Sequence, residues 1–211
     1  MKIESIWRDI EEKRFCGNCP LRDKSHPLLF RPGRDVSIMT VTEGPNEYTE
    51  PMFIASTANH PTYTFLYALF GGNFNPIGEN SNVYWTHLRK CFLKTEGGKD
   101  YSKYRDKALK ICSKTYLERE ILSINPKLII LVGGKAVDFI SKYDKRFRNK
   151  NLSTLVFNEG GIFRNVKIGK ISITIIVVPH PSGRNILWTK LPANARDIMI
   201  KISKEIIKNI K

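Results

Sequence analysis

Four cysteines are the residues of this sequence whose chemistry is easiest to define. Cys16 and Cys19 form a Cys-x-x-Cys pair within "RFCGNCPL", and Cys91 and Cys112 lie far along the chain. Four thiolates can hold a tetrahedral zinc ion or a cubane iron–sulfur cluster. Basic residues flank them, as in "RKC" at Cys91, and would offset thiolate charge. The alternative is that these are four unrelated thiols buried in the core.

Taken alone, the Cys-x-x-Cys pair could also be a redox-active pair of thiols. A thioredoxin-like pair usually lies between a strand and a helix, whereas apolar residues at helical spacing precede this one. Disulfides are not expected, because the N-terminal stretch mixes acidic with apolar residues and does not resemble a secretory signal. The spacing therefore favours a metal site with four cysteine ligands.

Carboxylates cluster at the end of a predicted strand, in "VTEGPNEYTEPMF". Glu43 and Glu47 stand on either side of Gly44-Pro45, where the glycine lets the backbone approach a ligand closely. Carboxylates gathered at a strand end in a strongly basic protein are candidates for acid–base chemistry. The alternative is a solvated acidic loop.

A second chemical motif, "PHPSGRN", follows a buried apolar run. Prolines on both sides of His180 stiffen the backbone and aim the imidazole. Ser182, Gly183 and Arg184 could hold a phosphate through backbone amides and a guanidinium. His87, in "WTHLRKC", is a further candidate, and for each histidine the alternative is an ordinary turn residue.

The elements that must position these residues read as an α/β pattern. Continuous apolar strands, at Val36–Val41, Leu128–Val132, Ile171–Val178 and within "SNVYWTH", alternate with amphipathic helices. This alternation predicts a mostly parallel sheet covered on both faces. Functional groups of such sheets lie on loops at the carboxyl ends of the strands, which places both motifs on one rim. No repeat or linker is visible, so we expect one domain over residues 1–211.

Charge and composition indicate a polyanionic partner. The 211 residues include 35 Lys and Arg against 20 Asp and Glu, a net charge of +15 that suits nucleic acid. A lysine-rich compositional bias is the alternative. No apolar run approaches the roughly 20 residues of a membrane span, so an intracellular, cytoplasmic protein is expected. "GGKA" does not complete a phosphate loop and GxGxxG is missing, which leaves nucleotide-triphosphate hydrolysis and dinucleotide binding without support.

Taken in order, the motifs resemble the iron–sulfur members of the uracil-DNA glycosylase superfamily, chiefly families 4 and 5. The similarity runs through "CGNCPL", "TEGPN", "PMF", "THLRKC", "YLEREILSINPKLIILVGGKAV" and "HPSGRN" and covers nearly the whole chain. It implies a three-layer α/β/α fold with a central four-stranded, mostly parallel sheet. It also implies a structural [4Fe–4S] cluster on Cys16, Cys19, Cys91 and Cys112.

The resemblance further implies base-excision repair of DNA, by hydrolysis of the N-glycosidic bond of a flipped uracil. His180 matches the histidine that stabilises the leaving base, and Glu43 the first-motif glutamate, with Glu47 as candidate for the second carboxylate. Phe53 matches the aromatic residue that stacks on the base. The remaining matched positions are Gly44, Pro45, Asn46 and His87 at the base pocket and Ser182, Gly183, Arg184 and Asn185 in the loop that enters the DNA.

Two departures from the family pattern bear on the base. His87 replaces an asparagine whose amide reads the uracil edge, and Asn46 replaces a small residue. The expected substrate is therefore uracil or a related deaminated base in single- or double-stranded DNA. The alternative is a catalytically weak or inactive DNA-binding protein on the same scaffold, and a weaker third reading is a zinc-stabilised adaptor. We expect a monomer, and the sequence identifies no replication or repair partner.

Overall fold

The structure is a computed structural model. It describes residues 2–32, 36–45, 61–70, 83–93, 95–96, 99–100, 102–181 and 193–209.

Helices and strands alternate along most of the described chain. The helices are α1 (Ile3–Glu11), α2 (Pro61–Phe70), α3 (Arg105–Cys112), α4 (Glu118–Ile124), α5 (Gly134–Ile140) and α6 (Ala193–Lys208). The strands are β1 (Ile38–Thr42), β2 (Val83–His87), β3 (Thr95–Glu96), β4 (Lys99–Asp100), β5 (Leu128–Val132), β6 (Ile162–Ile168) and β7 (Ile171–Val178). Short 3₁₀ turns occur at Ser102–Tyr104 and Lys145–Phe147, and π turns at Ser113–Leu117 and Thr154–Asn158. Within these ranges no helix is both long enough and apolar enough to cross a bilayer.

The central sheet has the order β2-β1-β5-β7-β6. The first four strands are parallel, as the sequence predicted, and they are the strands that read as continuous apolar runs. Their carboxyl ends therefore lie along one edge of the sheet. β3 and β4 form a separate two-stranded antiparallel ribbon.

The parallel strands are buried on both faces. Along β5, Ile129 and Leu131 pack into one apolar cluster, and Leu128, Ile130 and Val132 pack into another on the opposite face. Side chains from α1, α4 and α5 cover the first face, and those from α2 and α6 cover the second. The expected three-layer α/β/α arrangement is confirmed.

The sheet is one strand wider than the four expected from the sequence. β6 pairs antiparallel with β7 at the edge, with a bulge between Phe163 and Val166 at which Asn165 adopts a φ of 58°. One side of β6 is exposed, so polar residues interrupt its apolar ones and it does not read as a buried strand. The partly alternating Phe163, Val166 and Ile168 were the available signal.

The long amphipathic helix predicted before β5 is present with an irregularity in its middle. α3 runs through the π turn Ser113–Leu117 into α4, and Asn125 in the left-handed conformation ends it. Cys112 closes α3 and Tyr116 lies within the π turn, and both side chains are buried. Such single π turns are often found at functional sites.

A buried polar network joins β2 to α4. Lys90 and Glu120 form an ion pair of 2.5 Å, with side chains only 1 % and 0 % exposed. The Lys90 ammonium also donates to Thr86 Oγ1 at 2.6 Å and to the His87 carbonyl at 2.7 Å. Tyr84 and Thr86 donate to the Glu120 carboxylate. These bonds fix the segment that follows β2.

We predict that Glu120→Gln destabilises the protein by about 3–5 kcal/mol, since it leaves the Lys90 charge buried without its counter-charge. Denaturant unfolding of both proteins measures the change in the free energy of unfolding. The matched control is Glu11→Gln, which breaks an exposed pair with Arg31 and should cost less than about 1 kcal/mol. Equal small effects for the two variants would contradict the importance of the buried pair.

Candidate active site and cysteine cavity

Glu43 stands directly after β1 at the carboxyl edge of the sheet. Its backbone carbonyl accepts a hydrogen bond from the Arg89 amide at 3.0 Å, and the Thr42 carbonyl accepts one from the Leu88 amide at 2.8 Å. The β1–β2 pairing therefore continues beyond the strands and holds the start of the turn. The Glu43 carboxylate is about one-third exposed and pairs with Arg105 Nε at 3.4 Å.

His180 follows β7, two strands away from β1 in the sheet. Its Nε2 is hydrogen-bonded to Thr62 Oγ1, on α2, at 3.3 Å. Burial lowers the pKa of His180 from its ordinary value of 6.5, and the negative charge of Glu43 opposes that shift in part. The imidazole is accordingly neutral near pH 7 and can act as a hydrogen-bond donor.

One cavity of about 460 Å³ contains both Glu43 and His180. Its remaining lining residues are Val132, Gly133, Gly134, Lys135, Val137, Asp138, Lys150, Asn151 and Leu152. They come from the β5–α5 turn, from α5 and from the segment before the second π turn. A carboxylate and a neutral imidazole facing one space can stabilise a developing positive charge and a developing negative charge respectively.

His87 lies at the end of β2 and is 1 % exposed. Its Nδ1 is hydrogen-bonded to Thr42 Oγ1 at 2.6 Å, and its ring lies 5.8 Å from those of Phe30 and Trp85. The side chain does not line the cavity shared by Glu43 and His180. The structure thus places His87 beside the end of β1, under the loop that carries Glu43.

Several predicted site residues lie outside the described residues. They are Asn46, Glu47 and Phe53 after β1 and Ser182, Gly183, Arg184 and Asn185 after His180. Their assigned roles stay predictions. Gly44 and Pro45 are described, and both contact the side chain of Arg89.

All four cysteines line a second cavity. Cys16 and Cys19 share a turn after α1, in which the Cys19 amide donates to the Cys16 carbonyl at 2.9 Å. Cys91 follows β2 and is bridged to Pro27, and Cys112 is the last residue of α3. The fold therefore brings together residues that are as much as 96 positions apart in sequence (112 − 16).

The cysteine cavity is apolar apart from the thiols and the basic pair Arg89 and Lys90. Its other lining residues are Ile10, Leu21, Pro27, Ala108 and Tyr116. Burial raises the pKa of Cys91 and of Cys112 to about 12. Thiolates form in such surroundings when a metal supplies the compensating charge.

One backbone donor already points at a sulfur, and a hydroxyl lies beside a second sulfur. The Lys90 amide donates to Cys112 Sγ at 3.4 Å, and Tyr116 Oη lies 3.5 Å from Cys16 Sγ. The Tyr116 hydroxyl also accepts from the Phe15 amide at 3.3 Å. Donors of this kind orient cysteine ligands and tune the metal that they hold.

Arg89 lines the cysteine cavity, contacts the turn after Glu43 and is 4 % exposed. One nitrogen of its guanidinium donates to the Cys91 carbonyl, and Nη2 donates to the Pro45 carbonyl at 3.3 Å. Burial lowers the pKa of Arg89, and the negative charges of Glu43, Cys91 and Cys112 oppose that shift. The sequence showed that Arg89 was basic and next to a cysteine, but not that it reaches the Gly44-Pro45 turn.

Sequence reasoning missed three other residues of the candidate site. Thr62 bonds His180, Arg105 pairs with Glu43, and Lys135 lines their cavity and pairs with Asp106 at 3.5 Å. Thr62 is the second residue of α2 and Arg105 is the first residue of α3. Only the folded chain brings these two helix starts to this edge of the sheet. Lys135 had a signal, since it follows the Gly-Gly turn at the end of β5.

Comparison with known proteins agrees with this geometry. The family model of the uracil DNA glycosylase superfamily matches residues 32–203. The chain belongs to that superfamily. The matched range includes Glu43, His87, Cys91, Cys112 and His180, and begins after the Cys-x-x-Cys pair. None of the curated proteins compared with the chain matches it significantly.

We predict that Glu43→Gln lowers the pKa of His180 further, because it removes the charge that favours the imidazolium. Side-chain NMR titration measures this pKa, with His180→Asn used to assign the resonance. In the unaltered protein the pKa should already lie below 6.5. Stability should then fall as the pH drops below 6.5, since the unfolded chain takes up a proton that the folded chain does not.

Asp138→Asn is the matched control for that titration, because Asp138 lines the same cavity without contributing to the shift of His180. It should leave the pKa of His180 unchanged. A pKa above 6.5, or one that does not respond to Glu43→Gln, would contradict the proximity of the two groups.

Proposed function

We propose that this protein is a DNA glycosylase that hydrolyses the N-glycosidic bond of uracil or a related deaminated base flipped out of DNA. The observation that carries the proposal is the convergence of Glu43 and His180 on one cavity in a chain of the uracil DNA glycosylase superfamily. A base stacked in a duplex cannot reach such a cavity, so the nucleotide must swing out of the helix.

Bond cleavage separates charge, and the two residues oppose the two charges. The bond between C1′ and the base nitrogen breaks, and its electron pair leaves with the base as an anion while the sugar becomes cationic. Water then bonds to C1′ and loses a proton, which the base anion finally takes up, so that the products are an abasic site and the free base. In this proposal the Glu43 carboxylate stabilises the cationic sugar or orients that water.

His180 acts on the leaving base as a neutral donor. When the Thr62 hydroxyl donates to Nε2, the ring proton resides on Nδ1 and is available to a base oxygen. The lowered pKa keeps the ring neutral. The hydrogen bond from His180 to the base oxygen then strengthens because the base gains negative charge. A preorganised donor of this kind is worth about 3 kcal/mol of the barrier.

We further propose that Cys16, Cys19, Cys91 and Cys112 hold a [4Fe–4S] cluster with a structural role. Among the described residues, no group of three or more His, Cys, Asp or Glu side chains could hold a single metal ion. The four thiols nevertheless line one cavity. Four thiolates can hold a cubane cluster or a zinc ion, and the resemblance of the sequence to the iron–sulfur glycosylases favours the cluster.

The partner in this proposal is DNA. The protein acts on it as a monomer, in the cytoplasm. The net charge of +15 supports an electrostatic attraction to the phosphate backbone. A second candidate is a DNA-binding protein without glycosylase activity. It is favoured by His87, because a ring nitrogen already bonded to Thr42 cannot offer a base the paired donor and acceptor of an amide.

We predict that the protein releases base from uracil-containing single-stranded DNA and leaves abasic sites. His180→Ala should lower kcat about 100- to 1000-fold, because the developing negative charge on the base loses its donor. Product strands cleaved at abasic sites and resolved by length measure the rate. His26→Ala is the matched control, since His26 packs on Phe92 and does not line the cavity with Glu43.

Substrates containing hypoxanthine and xanthine are assayed beside uracil, with wild type next to His87→Asn. If the residue at position 87 reads the base as the resemblance implies, restoring the amide favours uracil by about 1–3 kcal/mol of discrimination. The glycosylase proposal fails if wild type releases none of the three bases. Salt-sensitive DNA binding that survives His180→Ala, without abasic product, would establish the second candidate instead.

A further inference from the structure

The guanidinium of Arg89 is a buried positive charge, and none of the described carboxylates is hydrogen-bonded to it. In the described part of the chain its hydrogen bonds go to the carbonyl oxygens of Cys91 and Pro45, and Nε has no partner. A buried charge is costly unless a counter-charge lies nearby. By contrast, the neighbouring Lys90 has Glu120 as its partner.

Beyond the nearby carboxylate of Glu43, a further counter-charge could lie on one side of Arg89. Its side chain lines the cysteine cavity together with all four cysteines. Four thiolates around a cluster make an anionic group, and hydrogen bonds and charges around such a group set its stability. Nε is thus a buried donor without an acceptor among the described residues, in a side chain that also lines the cavity with the four cysteines.

The other side of Arg89 supports the candidate catalytic turn. A Cβ at Gly44 would lie 2.5 Å from Nη2 and 2.7 Å from Cζ, so the guanidinium fills the space that a side chain would occupy. The same group holds the Pro45 carbonyl. Glu43 precedes these two residues and is tied to Arg89 through the backbone.

We propose that Arg89 is a positioning residue that balances the charge of the cysteine-bound cluster and braces the Gly44-Pro45 turn beside Glu43. This inference rests on the proposed function and cofactor. It makes the catalytic turn and the cluster mutually dependent: displacing Arg89 from the turn weakens the cluster, and removing its charge at the cluster loosens the turn.

The test alters the Gly44-Pro45 turn and measures the release of iron from the cluster. Iron and sulfide are quantified in the purified wild type, and iron release to a ferrous chelator is then followed by absorbance. Gly44→Ala, which contacts no cysteine, should release iron about tenfold faster, as expected when the support of metal ligands is disturbed. Gly17→Ala, next to Cys16 but with no atom within 4 Å of its added Cβ, should release iron like wild type.

Substitutions of Arg89 separate its two tasks. Arg89→Gln removes the charge and should accelerate iron release like Gly44→Ala, which gives a second variant should one of them fold poorly. Arg89→Lys keeps the charge and should retain iron. The variant loses the guanidinium nitrogen that donates to the Pro45 carbonyl. Its glycosylase kcat should fall about 10- to 100-fold, the penalty for misplaced catalytic groups.

The inference would be overturned if Gly44→Ala and Arg89→Gln both released iron at the wild-type rate. It would also be overturned if the wild-type protein contained no iron–sulfur cluster. Abasic product from the same wild-type preparation reports separately on the proposed function. A protein that holds the cluster but releases no base therefore refutes the glycosylase proposal, while the iron measurements still decide the role of Arg89.

Discussion

The hydrogen bonds that extend the β1–β2 pairing past the ends of the strands are the constraint on which both sites depend. Leu88 and Arg89 donate to the carbonyls of Thr42 and Glu43, at 2.8 and 3.0 Å. Without this extension, the residues after β2 would have no fixed relation to the turn after β1. With it, the segment that leads to Cys91 is tied to the turn that carries Glu43, and Arg89, which lines the cysteine cavity, contacts that turn.

The segment after β2 is buried and yet carries two charged side chains. Lys90 is held by Glu120, and Arg89 by carbonyl oxygens, in surroundings where an unpaired charge would be costly. Evenly packed apolar residues could have filled the same volume. Charged ones fit a segment that lies next to the proposed cysteine-bound cluster and also holds the Gly44-Pro45 turn in place. The candidate catalytic pair follows the same logic, since the partial burial of His180 keeps its imidazole neutral.

Much of the fold could be predicted from the sequence because parallel strands are buried on both faces and read as continuous apolar runs. β5 and β7 are clear examples, whereas the half-exposed edge strand β6 carries polar residues and was missed. The meeting of Glu43 and His180 followed from strand direction alone. The contact of Arg89 with Gly44 and the burial of Lys90 could not be predicted, because a basic residue looks the same in sequence whether it faces solvent or the core.

The most direct test of the account is whether the cavity recognises the charge that it is proposed to stabilise. DNA carrying a cationic pyrrolidine in place of the sugar mimics the transition state, and DNA carrying a neutral tetrahydrofuran is its matched control. Wild type should bind the cationic DNA at least about tenfold more tightly than the neutral one, since groups that stabilise a transition state bind its analogues preferentially. Glu43→Gln should abolish that preference. Equal affinity of wild type for the two DNAs would contradict the assignment of this cavity as a glycosylase active site.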